Sequence, residues 1–360
     1  MATLFDYLDW RGDLPFSAVP LNEVDNLILS QIAYMDWADI VPRDASVAPI
    51  SLLTATRKYL KLHKGEAPYL GKIVPPDIVS LTARAAKSRR FGDLQLTCYI
   101  NRINDETQSQ FSALTALLHD EIGAVIFRGT DDTLVGWKEN FNMSFLQPVP
   151  AQLQAVDYLE QVLSDFPHDF YVGGHSKGGN LAVYAAVKCD PQIKDRLLTV
   201  FNNDGPGFSR DFIEGGDYLD LRGKIRTIVP HSSVVGMLLE HEETYEVVKS
   251  NAVGILQHNG FSWEVMGGQF IHLDTVSGES RRFDSSLKEW LGGMSAEERE
   301  NFVDSIYETV TAVGAKTLTE LTADKVKLVK AWGTLDAKSR SVILKCLSLL
   351  IRQGGKAKKQ

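Results

Sequence analysis

With 360 residues, 44% of them apolar and 23% charged, the chain is long enough for one large α/β domain with additions, or for two domains, and its composition is that of an ordinary globular protein. A net charge of −8 at neutral pH argues against nucleic-acid binding as the main role. The three cysteines, Cys98, Cys189 and Cys346, are far apart and in no C-x-x-C pair, so they read as reduced residues of a cytoplasmic protein, not as a disulfide framework.

The first ten residues carry no basic stretch and are interrupted by Asp6 and Asp9, so no signal peptide is expected there. No apolar run approaches membrane-spanning length. Residues 1–90 read as helical. In 22–37, Val24, Leu27, Ile28, Ile32 and Met35 fall on one helical face behind Asn22 as N-cap. A second helix is expected over 51–64, ended by Gly65, and a third from Pro75-Pro76-Asp77 to about residue 88.

From Leu94 the pattern turns to β. Residues 94–103 and 108–118 read as the arms of a hairpin around Asn104-Asp105-Glu106. Residues 123–127 are fully apolar and suit a central strand, which Arg128-Gly129-Thr130-Asp131-Asp132 ends. A helix is expected over 151–166, with Leu153, Val156, Leu159, Val162 and Leu163 as its stripe. Strands follow at 169–172, 197–201, 225–229 and 245–249, the last expected in the sheet, with a helix over 180–188 between the first two. Such alternation implies a mostly parallel sheet flanked by helices, with the strand-end turns gathered at one edge. Residues 261–283 read as short strands and turns. Ser295-Ala-Glu-Glu298 is a capping box for a helix through Val310, and two further helices are expected between 318 and 351. The segment 341–351, followed by Arg352, Lys356, Lys358 and Lys359, is apolar enough to pack on the domain as a helix, or to make a peripheral membrane contact. The chain thus divides into a helical N-terminal elaboration (1–90), an α/β core (91–283) and a helical C-terminal region (284–360).

The stretch 171–180 contains Gly174-His175-Ser176-Lys177-Gly178 between a β run and an Ala-rich helix. A Gly-x-Ser-x-Gly turn between strand and helix bends too sharply for side chains at its two Gly positions, and it holds the Ser in a strained backbone with its hydroxyl proud of the sheet edge. The structural alternative is a βα turn in which Ser176 caps the helix. A Ser hydroxyl is a poor nucleophile and needs a His to take its proton and a carboxylate to orient that His. In this strand–turn–helix context the chain order is Ser, acid, His. Asp204 follows the strand after the elbow helix. The strand after that ends in His231-Ser232-Ser233, with no acid. His231, His241, His258 and His272 are eligible as base. His258 is preferred, because its loop follows the last expected sheet strand and can swing over the sheet edge, and His231 is the alternative. His175, inside the elbow, reads as structural. The backbone amides of Lys177 and Thr130 are the candidates for holding an oxyanion, with the Thr130 hydroxyl as a second donor.

Phe127-Arg128-Gly129-Thr130, Trp137 and Gly174-His175-Ser176-x-Gly178-Gly179 resemble the class 3 (fungal-type) triacylglycerol lipases. More closely, Gly-His-Ser-Lys-Gly-Gly-Asn at 174–180, Asn-Asp-Gly-Pro-Gly at 203–207, the stretch 229–239 and Ile255-Leu-Gln-His258 look like the Mbeg1-like branch of the α/β-hydrolases. The resemblance covers residues 22–270 and implies an α/β-hydrolase fold with lipase- or esterase-like chemistry. In two places the sequence departs from the lipases. Lys177 stands where they have Leu, which would put a cation beside the site, and Ser232-Ser233 stands where they have the acid. No metal-ligand spacing, P-loop or dinucleotide fingerprint is present, so no cofactor or metal is expected. The reading is a cytoplasmic serine hydrolase acting on a small-molecule or lipid ester through Ser176, Asp204 and His258. A non-catalytic scaffold that binds a protein partner, and a thioesterase or peptidase on the same residues, are its rivals.

Overall fold

The computed structural model describes residues 1–64, 70–71, 74–143, 145–239, 245–278, 280 and 295–323, with single positions beyond to 340. Expectations about 341–351 and the basic tail, and about Gly65, His241 and Cys346, fall outside the described residues. In chain order the elements are α1 (Leu4–Arg11), α2 (Glu23–Ile32), β1 (Ile50–Ser51), α3 (Leu52–Leu62), α4 (Asp77–Ala85), β2 (Gln95–Asn104), β3 (Ser109–His119), β4 (Ile122–Phe127), α5 (Leu134–Asn142), α6 (Pro150–Asp165), β5 (Asp169–His175), α7 (Lys177–Lys188), α8 (Pro191–Lys194), β6 (Leu197–Asn203), α9 (Arg210–Ile213), α10 (Gly216–Leu221), β7 (Ile225–Pro230), β8 (Glu246–Val248), β9 (Val265–Met266), β10 (Gln269–Phe270), β11 (His272–Leu273), α12 (Ala296–Ala312) and α13 (Leu318–Ala323). Among the described residues no helix is long and apolar enough to cross a membrane.

Nine strands form one sheet in the order β1-β2-β3-β4-β5-β6-β7-β8-β11. The pairings β4/β5, β5/β6, β6/β7 and β7/β8 are parallel. The hairpin β2/β3, its neighbours β1 and β4, and the far edge β11 pair antiparallel. The result is an α/β-hydrolase-like fold: a mixed sheet whose parallel block carries the strand ends of interest. β8 is not the last strand of the sheet, because His272 and Leu273 return to pair with Val248 and Val247. β11 lies in the stretch 261–283 expected as short strands and turns, but two residues carry too little pattern to assign a strand to the main sheet.

β4 explains the layering. Alternate side chains of a strand face opposite ways. Ala124 and Ile126 join a core built with α1 to α4, whereas Val125 and Phe127 join a second core with α6, α7 and α10. Both faces are covered, so the strand reads as one apolar run.

Helix α2 departs most from expectation. Asn22 caps it as anticipated, accepting from the Val24 and Asp25 amides at 2.9 and 3.0 Å. All ten of its residues are buried, however, so no face is left for solvent. Several of its polar residues find partners inside the protein, although Asn26 Nδ2 and Gln31 Nε2 have no hydrogen-bond partner among the described residues. Asp25 pairs with the buried Arg90 and accepts from Tyr7 Oη at 2.7 Å, and Asn26 Oδ1 accepts from Asn203 Nδ2 at 2.8 Å. The helix ends at Ile32, five residues short of the expected span, where Trp37 Nε1 donates to the Ile32 carbonyl at 3.1 Å. In α6, Leu153 was expected on the apolar stripe and is 51% exposed. It lies six residues from Leu159, about 240° round the helix, and Ala151, Ala155 and Tyr158 fill the buried face instead. The capping box of α12 forms, with the Ser295 hydroxyl accepting from the Glu298 amide and the Glu298 carboxylate from the Ser295 amide.

Candidate active site

The turn between β5 and α7 is as tight as its sequence demands. A Cβ on Gly174 would lie 2.3 Å from the Gly178 carbonyl carbon, and one on Gly178 would lie 2.1 Å from the Phe127 carbonyl oxygen. The first turn of α7 therefore rests directly against the end of β4. Ser176, between the two glycines, has φ 58° and ψ −132°, a conformation that costs a non-glycine residue of order 1–3 kcal/mol and persists only where its surroundings enforce it. Its amide is held by the Asn203 carbonyl at 2.9 Å. The hydroxyl makes no cap bond to α7, so Ser176 caps the helix with its carbonyl alone.

In the parallel register His175 pairs with Asn203, so Ser176 and Asp204 leave adjacent strands at the same level. Asp204 is fully buried and its backbone is also left-handed, with φ 52°. Its Oδ1 accepts from Ser233 Oγ at 2.5 Å and from the Gly236 amide at 3.1 Å. Its Oδ2 faces His258 Nδ1 at 2.6 Å. With Nδ1–H donating to the carboxylate, Nε2 of His258 is left free to accept a proton. The imidazole is 24% exposed while its partner is 0% exposed, so the ring stands between a buried charge and the solvent. Ser233 comes from the β7 end, where the resemblance places the acid of the fungal lipases. Here that strand end supplies a hydroxyl that holds the acid of the neighbouring strand.

His258 closes a 3-10 turn, Gly254–His258, that is fastened from several sides. His175 Nε2 lies 2.7 Å from the His258 carbonyl, and the two ring centres are 4.6 Å apart with the planes tilted by 33°. Burial, and secondarily the neighbouring His258, push the His175 pKa down to about 3, so this ring stays neutral and donates to that carbonyl. Gln257 accepts from the Ser232 amide at 2.9 Å and donates to the Ala252 carbonyl at 3.0 Å. The Ser176 hydroxyl makes no hydrogen bond among the described residues. Asp204 and His258 are thus joined, and Ser176 stands beside them on the next strand end without a bond to the ring. Contacts of this kind are often long without substrate and tighten when it binds. His231, the other histidine at this edge, faces Gln257 Nε2 at 3.3 Å and has no bond to Asp204. His272 is bonded to Glu23 at 2.9 Å.

The turn after β4 lies against the elbow. A Cβ on Gly129 would sit 2.1 Å from the Tyr34 hydroxyl and 2.6 Å from the His175 carbonyl oxygen, so only glycine permits this approach. Neither the Thr130 amide nor the Lys177 amide has an acceptor among the described residues. The Thr130 hydroxyl accepts from Asn140 Nδ2 at 2.6 Å, which leaves its own proton to be donated.

Lys177 corrects one expectation. Its ammonium does not stand beside the site. The side chain is 1% exposed and turns inward, donating to the Gln110 carbonyl at 2.6 Å, to Gln110 Oε1 at 2.7 Å and to Glu139 Oε2 at 3.0 Å. Glu139, 0% exposed, also accepts from the Gln110 amide at 3.0 Å and the Ala151 amide at 2.9 Å. One buried carboxylate therefore ties together β3, α6 and the start of α7 from its place on α5. Helix α5 itself, with Glu139 and Asn140, went unseen in the sequence. Its only signal is Thr133 as N-cap, accepting from Gly136 at 3.3 Å.

Among the described residues one group could in principle hold a metal: ligand atoms of Glu23, Glu246 and His272 lie within 4.8 Å of one another. Arg226 already bonds both carboxylates there, which makes the group an ion-pair cluster.

The Mbeg1-like family model matches residues 85–308, more than half of the chain. Among solved structures the chain is similar to the lipase–propeptide complex of Rhizomucor miehei, at 17% identity and a TM-score of 0.35, over 44% of this chain and 58% of that one. It is also similar to the M37 lipase, at 13% identity and a TM-score of 0.34, over 67% of this chain and 81% of that one. The match thus spans less than two thirds of the Rhizomucor miehei chain. No curated protein matches.

Proposed function

The chain belongs to the Mbeg1-like family, and from that premise we propose that it is a serine hydrolase of carboxylic esters, acyl lipids foremost. Ser176 Oγ attacks the ester carbonyl and His258 Nε2 takes its proton. Asp204 holds the ring through Nδ1 and stabilises the imidazolium. Negative charge on the carbonyl oxygen is met by the amides of Thr130 and Lys177 and by the Thr130 hydroxyl. The imidazolium then protonates the leaving alcohol. Water, activated by the same ring, releases the acid from the acyl-serine. The observation that carries this reading is the 2.6 Å contact between His258 Nδ1 and a buried Asp204, at the strand edge that presents Ser176 with φ 58°. A buried carboxylate aimed at a partly exposed imidazole beside a strained serine is costly to maintain for structure alone.

The test is covalent labelling by a fluorophosphonate probe, read by mass spectrometry, together with hydrolysis of soluble p-nitrophenyl esters of graded acyl length. Labelling at Ser176 that disappears in Ser176→Ala supports the reading, as does esterase turnover lost in the same variant. An unlabelled wild-type chain, or Ser176→Ala turnover within tenfold of wild type, overturns it.

A further inference from the structure

Both proposed oxyanion donors depend on a single helix. Asn140 of α5 bonds the Thr130 hydroxyl and Glu139 of α5 bonds the Lys177 ammonium. Residues 304–321 bond to and pack against α5 and the turn before it. At its entry, the Leu134 amide donates to the Lys316 carbonyl at 2.9 Å and the Leu318 amide to the Asp132 carbonyl at 2.9 Å. The Thr319 amide donates to Asp132 Oδ2 at 3.1 Å, and Thr133 pairs with Thr317 as an isolated antiparallel bridge. Leu134 packs with Ala315 and Leu321 in a small buried cluster of its own, flanked by Tyr307 and Leu318. Further along α5, the buried Lys138 pairs with Asp304 of α12 at 2.7 Å, with its ammonium 4.6 Å from the centre of the Tyr307 ring.

These contacts have two notable properties. Two of them are hydrogen bonds to the backbone of Asp132 and Leu134, a few positions after Thr130, and so fix position as well as cover surface. And the strand-like part of them, residues 315–319, lies beyond residue 308, where the family match ends. A segment added merely to shield apolar surface would have no need to bond the main chain of that turn.

We propose that residues 295–323 splint the oxyanion turn: they set the placement of α5 and, through Asn140 and Glu139, that of the Thr130 and Lys177 amides. Asp132, Leu318 and Leu321 are then positioning residues that never touch substrate. This rests on the hydrolase reading above for its catalytic consequence, but its structural half can be read without any turnover.

The test uses the full chain. Leu321→Asp places a charge in the Leu134–Ala315–Leu321 cluster, and Asp304→Ala removes the ion pair to Lys138. Amide hydrogen exchange is followed over residues 128–143 and, as a control, over β5 and β6, alongside kcat and KM for a soluble ester. Leu321→Asp should speed exchange over 128–143 at least about tenfold while β5 and β6 keep their protection. It should lower kcat about tenfold or more with KM within about twofold, since a displaced oxyanion donor acts on the transition state. Asp304→Ala should do the same in smaller degree, and Leu321→Met, which keeps the volume, should restore both readouts. Unchanged exchange over 128–143 in a Leu321→Asp chain whose residues 295–323 exchange faster overturns the proposal. So does uniform loss of protection across the sheet, because the segment would then be a general prop. A wild-type chain with no esterase activity counts against the hydrolase function alone, and the exchange arm still decides the splint.

Discussion

The Lys177–Glu139 pair permits the sharpest quantitative test of the structure. Both side chains are withdrawn from water, at 1% and 0% exposure, and Glu139 serves three donors at once. Breaking such a pair from one side strands a buried charge, which costs about 3–5 kcal/mol. Lys177→Met and Glu139→Gln are near-isosteric, so little of the loss comes from a cavity. Lys177→Met also leaves the two Gln110 oxygens without their donor, at about 1–3 kcal/mol, but that loss recurs in the double variant and cancels in the cycle. Glu139→Gln should therefore lose about 3–5 kcal/mol and Lys177→Met about 4–8 kcal/mol, and the double should lose at least about 2 kcal/mol less than their sum. The assay is urea unfolding at neutral pH, with midpoints compared at unchanged m-value. Additivity within about 0.5 kcal/mol would refute the reasoning, because the two groups would then not be sharing one desolvated interaction.

Two further outcomes are expected. Asp204→Asn should lower kcat by about 10³–10⁴ on a soluble ester, because the imidazolium loses its counter-charge and the ring its tautomer; stopped assays with normal turnover would remove Asp204 from the mechanism. His175, held neutral with a pKa near 3 against an ordinary 6.5, binds a proton in the unfolded chain that the native chain refuses. Its folded pKa is depressed, so the stability it allows is present above about pH 6.5 and is lost as pH falls from there toward 3, by up to about 1.4 kcal/mol per pH unit. His175→Gln should lose less stability than wild type between pH 7 and pH 5 in urea titrations. Equal losses would show that the buried ring takes up a proton without penalty.

The parts legible in the sequence are those that short spacing dictates. The elbow at 174–178 is written in two glycines that no side chain can replace, and the apolar run 123–127 is written by a strand with both faces covered. Asp204 and His258 could be singled out because each follows the end of a strand, and strand ends of a parallel block share an edge. What was not legible depends on partners distant in sequence. Glu139 looks like a surface residue of a polar stretch until Lys177, Gln110 and Ala151 converge on it. The inward turn of Lys177 follows from that convergence and from nothing local. Ser233 gains its meaning only from Asp204, which lies 29 positions away. Helix α2 reads as amphipathic because periodicity reports polar faces, and it cannot tell that Arg90 and Tyr7 will meet Asp25, and Asn203 will meet Asn26, inside the protein.

The two ends of the nine-stranded sheet bear on how copies of this protein behave at high concentration. β1 and β11 contribute two residues each, and β8, next to the outer one, contributes three. An incoming strand from another molecule would find only a two-residue ladder on β1 or β11 themselves. Long exposed edges are templates for strand addition and aggregation, and very short edge strands are one of the ways proteins blunt them. At the β11 edge, Glu23, Glu246, His272 and Arg226 add charge that such a strand would have to desolvate. The outermost strand at each margin is thus short, and at the β11 margin charge adds to brevity.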